Sequence, residues 1–153
     1  GKGGGGKVFG GEGSRQFNPT DLVKIAHALM GRALLLDLDL LDVVATPVMA
    51  AAAVGTLGPR DIADFTWAVT RLIQAHPRAP RSLLDRLYEM LRGLCAAAIL
   101  PQRDGEVVLM DRFNSRDLAQ FIHSLARVGY DDVALFSLLQ HRIRAFCTAA
   151  TTT

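Results

Sequence analysis

The sequence predicts an all-α protein, an alpha-solenoid of about three helix-turn-helix repeats behind a disordered Gly-rich N-terminal tail. Three observations predict it. Half of the 153 residues are hydrophobic but only 7% are aromatic, and the apolar material lies in Ala- and Leu-rich runs that favour helix over sheet. Three segments starting at Phe17, Leu57 and Phe113 align without gaps. Within each, apolar residues return every three or four positions, as one stripe of an amphipathic helix requires.

Residues 1–16 form the expected flexible tail, since Gly1 to Gly13 hold eight of the fourteen glycines and cannot bury a core. Gly1 to Lys7 matches a phosphate-loop pattern, but Val8 follows where a magnesium-ligating hydroxyl is needed, and no strand precedes it. The helical-repeat region is placed at 17–147, in units of about 17–54, 57–99 and 113–147, with a second flexible tail at 148–153.

Each unit opens like a helix N-terminus. Asn18, Gly58 and Asn114 occupy the N-cap position, where a side-chain oxygen or glycine's freedom suits the turn into the helix. Pro19 and Pro59 follow at the first helical position, where a missing N–H costs nothing. Asp21, Asp61 and Asp117 stand three residues after the cap. From there a carboxylate can accept the N–H of the cap residue and complement the helix dipole, which explains the Asp without catalysis.

The apolar stripes run Leu22, Ile25, Leu29; then Ile62, Phe65, Val69, Leu72; then Leu118, Phe121, Leu125, Val128. Gly31, the stretch from His76 to Pro80, and Gly129 to Asp131 break the chain before second helices around Leu40 to Val44, Leu83 to Leu87, and Leu135 to Leu139. Pro47 predicts a kink or split in the first unit's second helix. The units start 40 and then 56 residues apart, and the longer interval assigns an insertion to 100–112. Within it Asp104-Gly105 signals a turn and Val107 to Met110 a short extended stretch.

Several function classes are disfavoured. His27, His76, His123 and His141 fall in no metal or catalytic motif, and Asp37, Asp39 and Asp42 lack the glycine turn and terminal Glu of a calcium loop. No catalytic residues, metal, cofactor or small-molecule substrate are therefore expected. Cys95 and Cys147 lie in apolar surroundings with no paired spacing and read as buried free thiols. The start of the chain lacks the basic-then-apolar pattern of a signal peptide. The apolar stretch from Ala33 to Val54 is broken by three Asp and a Pro, so no membrane insertion is expected. A net charge of +2 does not argue for nucleic acid, although fourteen Arg stand against three Lys. Arg suits bidentate phosphate binding, and a GC-rich genome produces the same excess.

The string from Phe113 to Asp132, with the matching Pro59, Asp61, Ala63, Trp67 and Ala68 of the second unit, resembles the repeats of organellar RNA-binding proteins of algae and apicomplexans. These are the octotricopeptide and heptatricopeptide repeat proteins, of the RAP-domain and FAST-kinase-like group, whose units typically read F-S-P-x-D-L-A-x-x-x-W-A-L-A-x-L-G. The resemblance covers about Phe17 to Phe146. It implies a solenoid of paired helices acting in mitochondria, or alternatively plastids, on RNA. The sequence shows no RAP domain, about three units only, and a Gly-rich start in place of an Arg- and Ser-rich transit peptide. Three units suit a small subunit of a large complex, and the mitochondrial ribosome with its rRNA and neighbouring proteins is the expected setting.

If the first helices of the units line one surface, the positions beside their apolar stripes would meet the RNA. Lys24, Arg60, Arg71, Arg116, Gln120 and Arg127 are the expected polar contacts on these helices, joined by Arg78 and Arg81 from the turn after the second unit's first helix. Trp67, His27 and His123 are candidates for base stacking, with Trp67 packed between units as the competing assignment. The alternative function is a protein–protein scaffold or assembly subunit of an organellar complex, favoured by the near-neutral charge.

Overall fold

The structure, a computed structural model, describes residues 17–32, 37–102, 105 and 107–152. The expected N-terminal tail, the phosphate-loop match and Asp104 lie outside the described residues. Six α-helices are seen: α1 (Pro19–Gly31), α2 (Leu38–Ala53), α3 (Pro59–Ala75), α4 (Arg81–Ala98), α5 (Ser115–Arg127) and α6 (Val133–Thr152). A 3₁₀ turn, Leu109–Arg112, precedes α5. The protein is all-α, and among the described residues no helix is long and apolar enough to cross a membrane.

The helices begin where cap chemistry places them. Asn18 Oδ1 accepts the N–H of Asp21 at 2.8 Å, and Asn114 Oδ1 accepts that of Asp117 at 2.8 Å. Gly58 caps α3 without a side chain, with Pro59 following. The expected reciprocal bond from the Asp carboxylate to the cap N–H does not form at these helices. Asp61 instead accepts the Thr20 hydroxyl of α1 at 3.0 Å, because the neighbouring helix brings a donor to it. Asp37 caps α2 by accepting the Leu40 N–H at 2.7 Å, which gives that residue a structural role.

Helix α1 packs on α3, and α3 on α5, in one layer; α2 packs on α4 in a second layer, with α1 over α2 and α3 over α4. Small side chains allow the close approach: Ala26, Ala63, Ala68, Ala97 and Ala98 are all buried. Leu41, Phe65, Leu72, Leu91, Leu94 and Phe121 fill the space between the layers and are fully enclosed. Each contributes about 1.5–3 kcal/mol relative to an exposed side chain. Helix α6 buries Leu135 and Leu139 in the core. Arg142 Nη2 also donates to the Asp111 carbonyl at 2.8 Å while its guanidinium lies over the Phe146 ring.

Of the kink or split expected at Pro47, the split is corrected. Helix α2 runs unbroken through Pro47. Both Pro47 and Val43, whose carbonyl loses its helical donor, lie on the exposed side of the helix, where solvent can take the place of the missing N–H, so no break is needed. The first helix ends at Gly31, where the sequence places the break, with Arg32 as C-cap. The insertion folds back on itself. Leu109 N–H donates to Leu100 carbonyl at 3.1 Å and Gln102 N–H to Val107 carbonyl at 2.6 Å. Pro101 and Val108 form a single antiparallel bridge. The expected extended stretch thus ends at Val108, and Leu109 and Met110 enter the 3₁₀ turn, where both are buried.

The two thiols differ. Cys147 is exposed, against expectation, because the outer side of α6 has no helix over it, whereas Cys95 is buried. Burial pushes the Cys95 thiol up from 9.0 to about 12, with the nearby Asp132 carboxylate adding to the shift. Burial, with Cys95 and Asp132 beside it, likewise holds the Tyr130 phenol up at about 12.

Pro47→Ala restores a helical donor at an exposed site and should stabilise the fold by about 1–3 kcal/mol, measured by urea unfolding. Under native conditions a thiol reagent should modify Cys147 quickly and Cys95 only on unfolding. Cys95 and Tyr130 keep their protons in the folded state to higher pH than in the unfolded chain. Their contribution is full at neutral pH and is lost as pH rises from 9.0 through about 12. The unfolding midpoint should fall across that window in the native protein and fall less in Cys95→Ala.

Candidate nucleic-acid interface

Helix α3 lies between α1 and α5 and over α4, so it has little surface to show. After its first turn the residues not buried are Asp64, Trp67, Arg71, Gln74 and Ala75. The first four lie three or four positions apart and form one strip along the helix. The outward positions of α1 and α5 lie alongside: Lys24 and His27 on one side, Arg116 and His123 on the other, all exposed.

Contacts between these helices follow a constant offset. His27 stacks on Trp67, with ring centroids 4.5 Å apart and planes at 24°, and the two are 40 residues apart. Thr20 reaches Asp61 at an offset of 41. Gln120 Nε2 donates to Asp64 Oδ1 at 3.0 Å and to the Ala63 carbonyl at 3.3 Å, at offsets of 56 and 57. Helices α1, α3 and α5 therefore run parallel, in the register obtained by aligning their sequences.

Trp67 is half-buried because α1 offers it a flat seat. A Cβ on Gly31 would stand 2.6 Å from Trp67 Cζ3 and 2.9 Å from Cη2, so only glycine lets the indole lie there. The exposed His27 imidazole covers part of the same ring. The edge of Trp67 seals α1 against α3 while part of the ring stays open on the strip.

The structure brings most of the expected contact residues to this face and assigns some of them other duties. Lys24, Arg71, Arg116 and Arg127 have no carboxylate within ion-pair distance among the described residues. Arg60 lies 3.5 Å from Asp64, an exposed i,i+4 pair that leaves its guanidinium largely in solvent. Gln120 is turned onto α3 and its amide nitrogen is used there, so it acts as a clamp between helices. Arg78 and Arg81 are exposed at the α3–α4 turn, at the far end from Arg60, and Arg81 pairs with Asp85 at 3.1 Å. Arg86 is drawn into the second layer by Asp42 at 2.8 Å.

Five cations (Lys24, Arg60, Arg71, Arg116, Arg127) thus share the face with the Asp64 carboxylate, and with that of Asp61, which accepts the Thr20 hydroxyl at its N-terminal end. One residue of the strip, Gln74, and one role, that of Gly31 as a seat, are not among the sequence expectations. Gln74 lies on the same strip and continuing the rhythm one more turn would have found it. The seat that Gly31 provides carries no local signal, because the ring it accommodates is on another helix. No group of His, Cys, Asp and Glu able to hold a metal ion occurs among the described residues. The chain matches no family model, no curated protein and no solved structure.

Trp67 is the only tryptophan, so its fluorescence reports on this face. Gly31→Ala should push the indole off its seat, shifting the emission to the red and lowering the melting temperature. An unchanged spectrum would show that the seat is not needed.

Proposed function

We propose that this chain is an RNA-contacting helical-repeat subunit, an alpha-solenoid of about three units, within an organellar ribonucleoprotein. The observation that supports it best is the parallel α1–α3–α5 face, where five cations and two exposed or half-exposed stacked rings outnumber the carboxylates of Asp61 and Asp64. Net charge hides this asymmetry, since acids elsewhere are used as caps and clamps: Asp37 caps α2 and Asp42 holds Arg86. Phosphates bind such a face by displacing counterions, and the rings offer stacking to single-stranded bases. The coincidence of the 40- and 56-residue intervals with contacts between neighbouring helices supports the repeat architecture. A mitochondrial ribosome, with rRNA as the ligand, is the setting that the sequence resemblance suggests.

A second reading, a protein–protein scaffold, is favoured by the apolar groove of about 200 Å³ between α5 and α6, walled by Leu118, Ile122, Ile143 and Phe146. On that reading a partner protein fills the groove and the basic face is incidental.

Binding of a fluorescent single-stranded RNA should weaken steeply with salt. Replacing Lys24, Arg60 and Arg116 together by Ala should weaken it at least tenfold. The same change should reduce the slope of log affinity against log salt by about 2, at about 0.7 per lost phosphate contact. Binding that is absent or insensitive to salt, both in the isolated chain and in its native complex, rejects the RNA reading. Crosslinks from the native complex to protein alone would favour the scaffold.

A further inference from the structure

We infer that the cavity at the C-terminal end of α3 receives one unstacked nucleobase of the RNA held on the α1–α3–α5 face; the inference rests on that reading of the face. The cavity, about 260 Å³, opens between α3, α4 and α5. Ile73, Pro77, Leu84 and Val128 make its apolar walls. Tyr88 from α4 supplies an aromatic ring, and Gln74 and Arg127 supply polar groups. The volume lies below the roughly 300–1,000 Å³ of clefts that enclose drug-sized ligands, which suits a single planar ring system.

The polar groups suit a base in particular. A primary amide presents a donor and an acceptor side by side, the pair that an adenine edge returns. A phenol ring offers a stacking surface that any base accepts. Neither the Gln74 amide nor the Tyr88 hydroxyl is held by a hydrogen bond to another described residue. No carboxylate lines the cavity, so an electron-rich base edge and its flanking phosphates meet no repulsion.

The cavity is also continuous with the face. Gln74 ends the strip that begins with Asp64, Trp67 and Arg71, so a strand following the strip reaches the cavity without changing direction. Arg71 stands one turn before Gln74, Arg78 follows Pro77, and Arg127 lines the cavity itself. These three guanidiniums have no carboxylate partner among the described residues. They are available to the phosphates on either side of an inserted base. Tyr88 thereby gives the second layer of helices a part in binding that no single helix face contains.

The test compares a fluorescent 12-nucleotide oligoadenylate with an abasic ribose-phosphate chain of the same length, by anisotropy. Gln74→Leu and Tyr88→Leu should each weaken the oligoadenylate about tenfold and leave the abasic chain within twofold, which also shows that the variants are folded. Gln74 is exposed, so Gln74→Leu decides the matter alone if Tyr88→Leu does not fold. In the native protein the oligoadenylate, and not the abasic chain, should shift the Val128 methyl resonances. If oligoadenylate binds with salt sensitivity but Gln74→Leu changes both ligands equally or neither, the cavity is overturned and the face reading stands. If neither ligand shows salt-sensitive binding, the face reading falls and the cavity falls with it.

Discussion

A helix that must bury nearly its whole circumference needs neighbours on every side, and α3 places the other elements by that need. Ile62, Phe65, Val69 and Leu72 are fully enclosed along it. Its buried hydroxyls are satisfied within the helix, Thr66 donating to the Ile62 carbonyl at 2.7 Å and Thr70 to that of Thr66 at 3.0 Å. Back-bonding removes the cost of burying a hydroxyl, so α3 can be covered by α1, α4 and α5 together. The same demand confines its solvent-facing chemistry to one narrow strip, and whatever this helix recognises has to be recognised there.

The charged residues divide accordingly. Some connect helices far apart in sequence: Arg86 with Asp42, Gln120 with Asp64, Thr20 with Asp61, and Arg142 with the Asp111 carbonyl. These contacts set how one helix sits along the next, and a directional hydrogen bond does this better than apolar contact alone. Lys24, Arg71, Arg116 and Arg127 have no such duty, and they gather on one face. A protein of nearly balanced charge therefore has an unbalanced surface.

Helix α6 shows what happens when a neighbour is missing on one side. Leu135 and Leu139 are buried while Ile143 and Leu138, further round the helix, are exposed. Its stripe of apolar residues is wider than the one surface it covers. Ser124, buried on α5 without a hydrogen-bond partner for its hydroxyl among the described residues, shows that polar satisfaction is also less complete on α5 than on α3.

The sequence by itself determined the helices, their starts and their order, because caps and three-four periodicity are local properties of a few neighbouring residues. Asn18, Gly58 and Asn114 stand at their predicted caps for that reason. It also determined the offsets at which α1, α3 and α5 meet, since similar helices with similar stripes pack in similar registers. What the tertiary structure decided were the features that need two distant segments at once. Pro47 sits in an unbroken helix because its side of α2 faces water, and Gly31, which ends α1, is also a seat for an indole 36 residues away. Asp61 answers to Thr20 and not to its own cap, and Gln120 turns to α3. The strip on α3 meets Tyr88 only because α4 passes beneath its end. Exposure, pairing and cavities depend on what lies opposite a residue, and no window along the chain contains that.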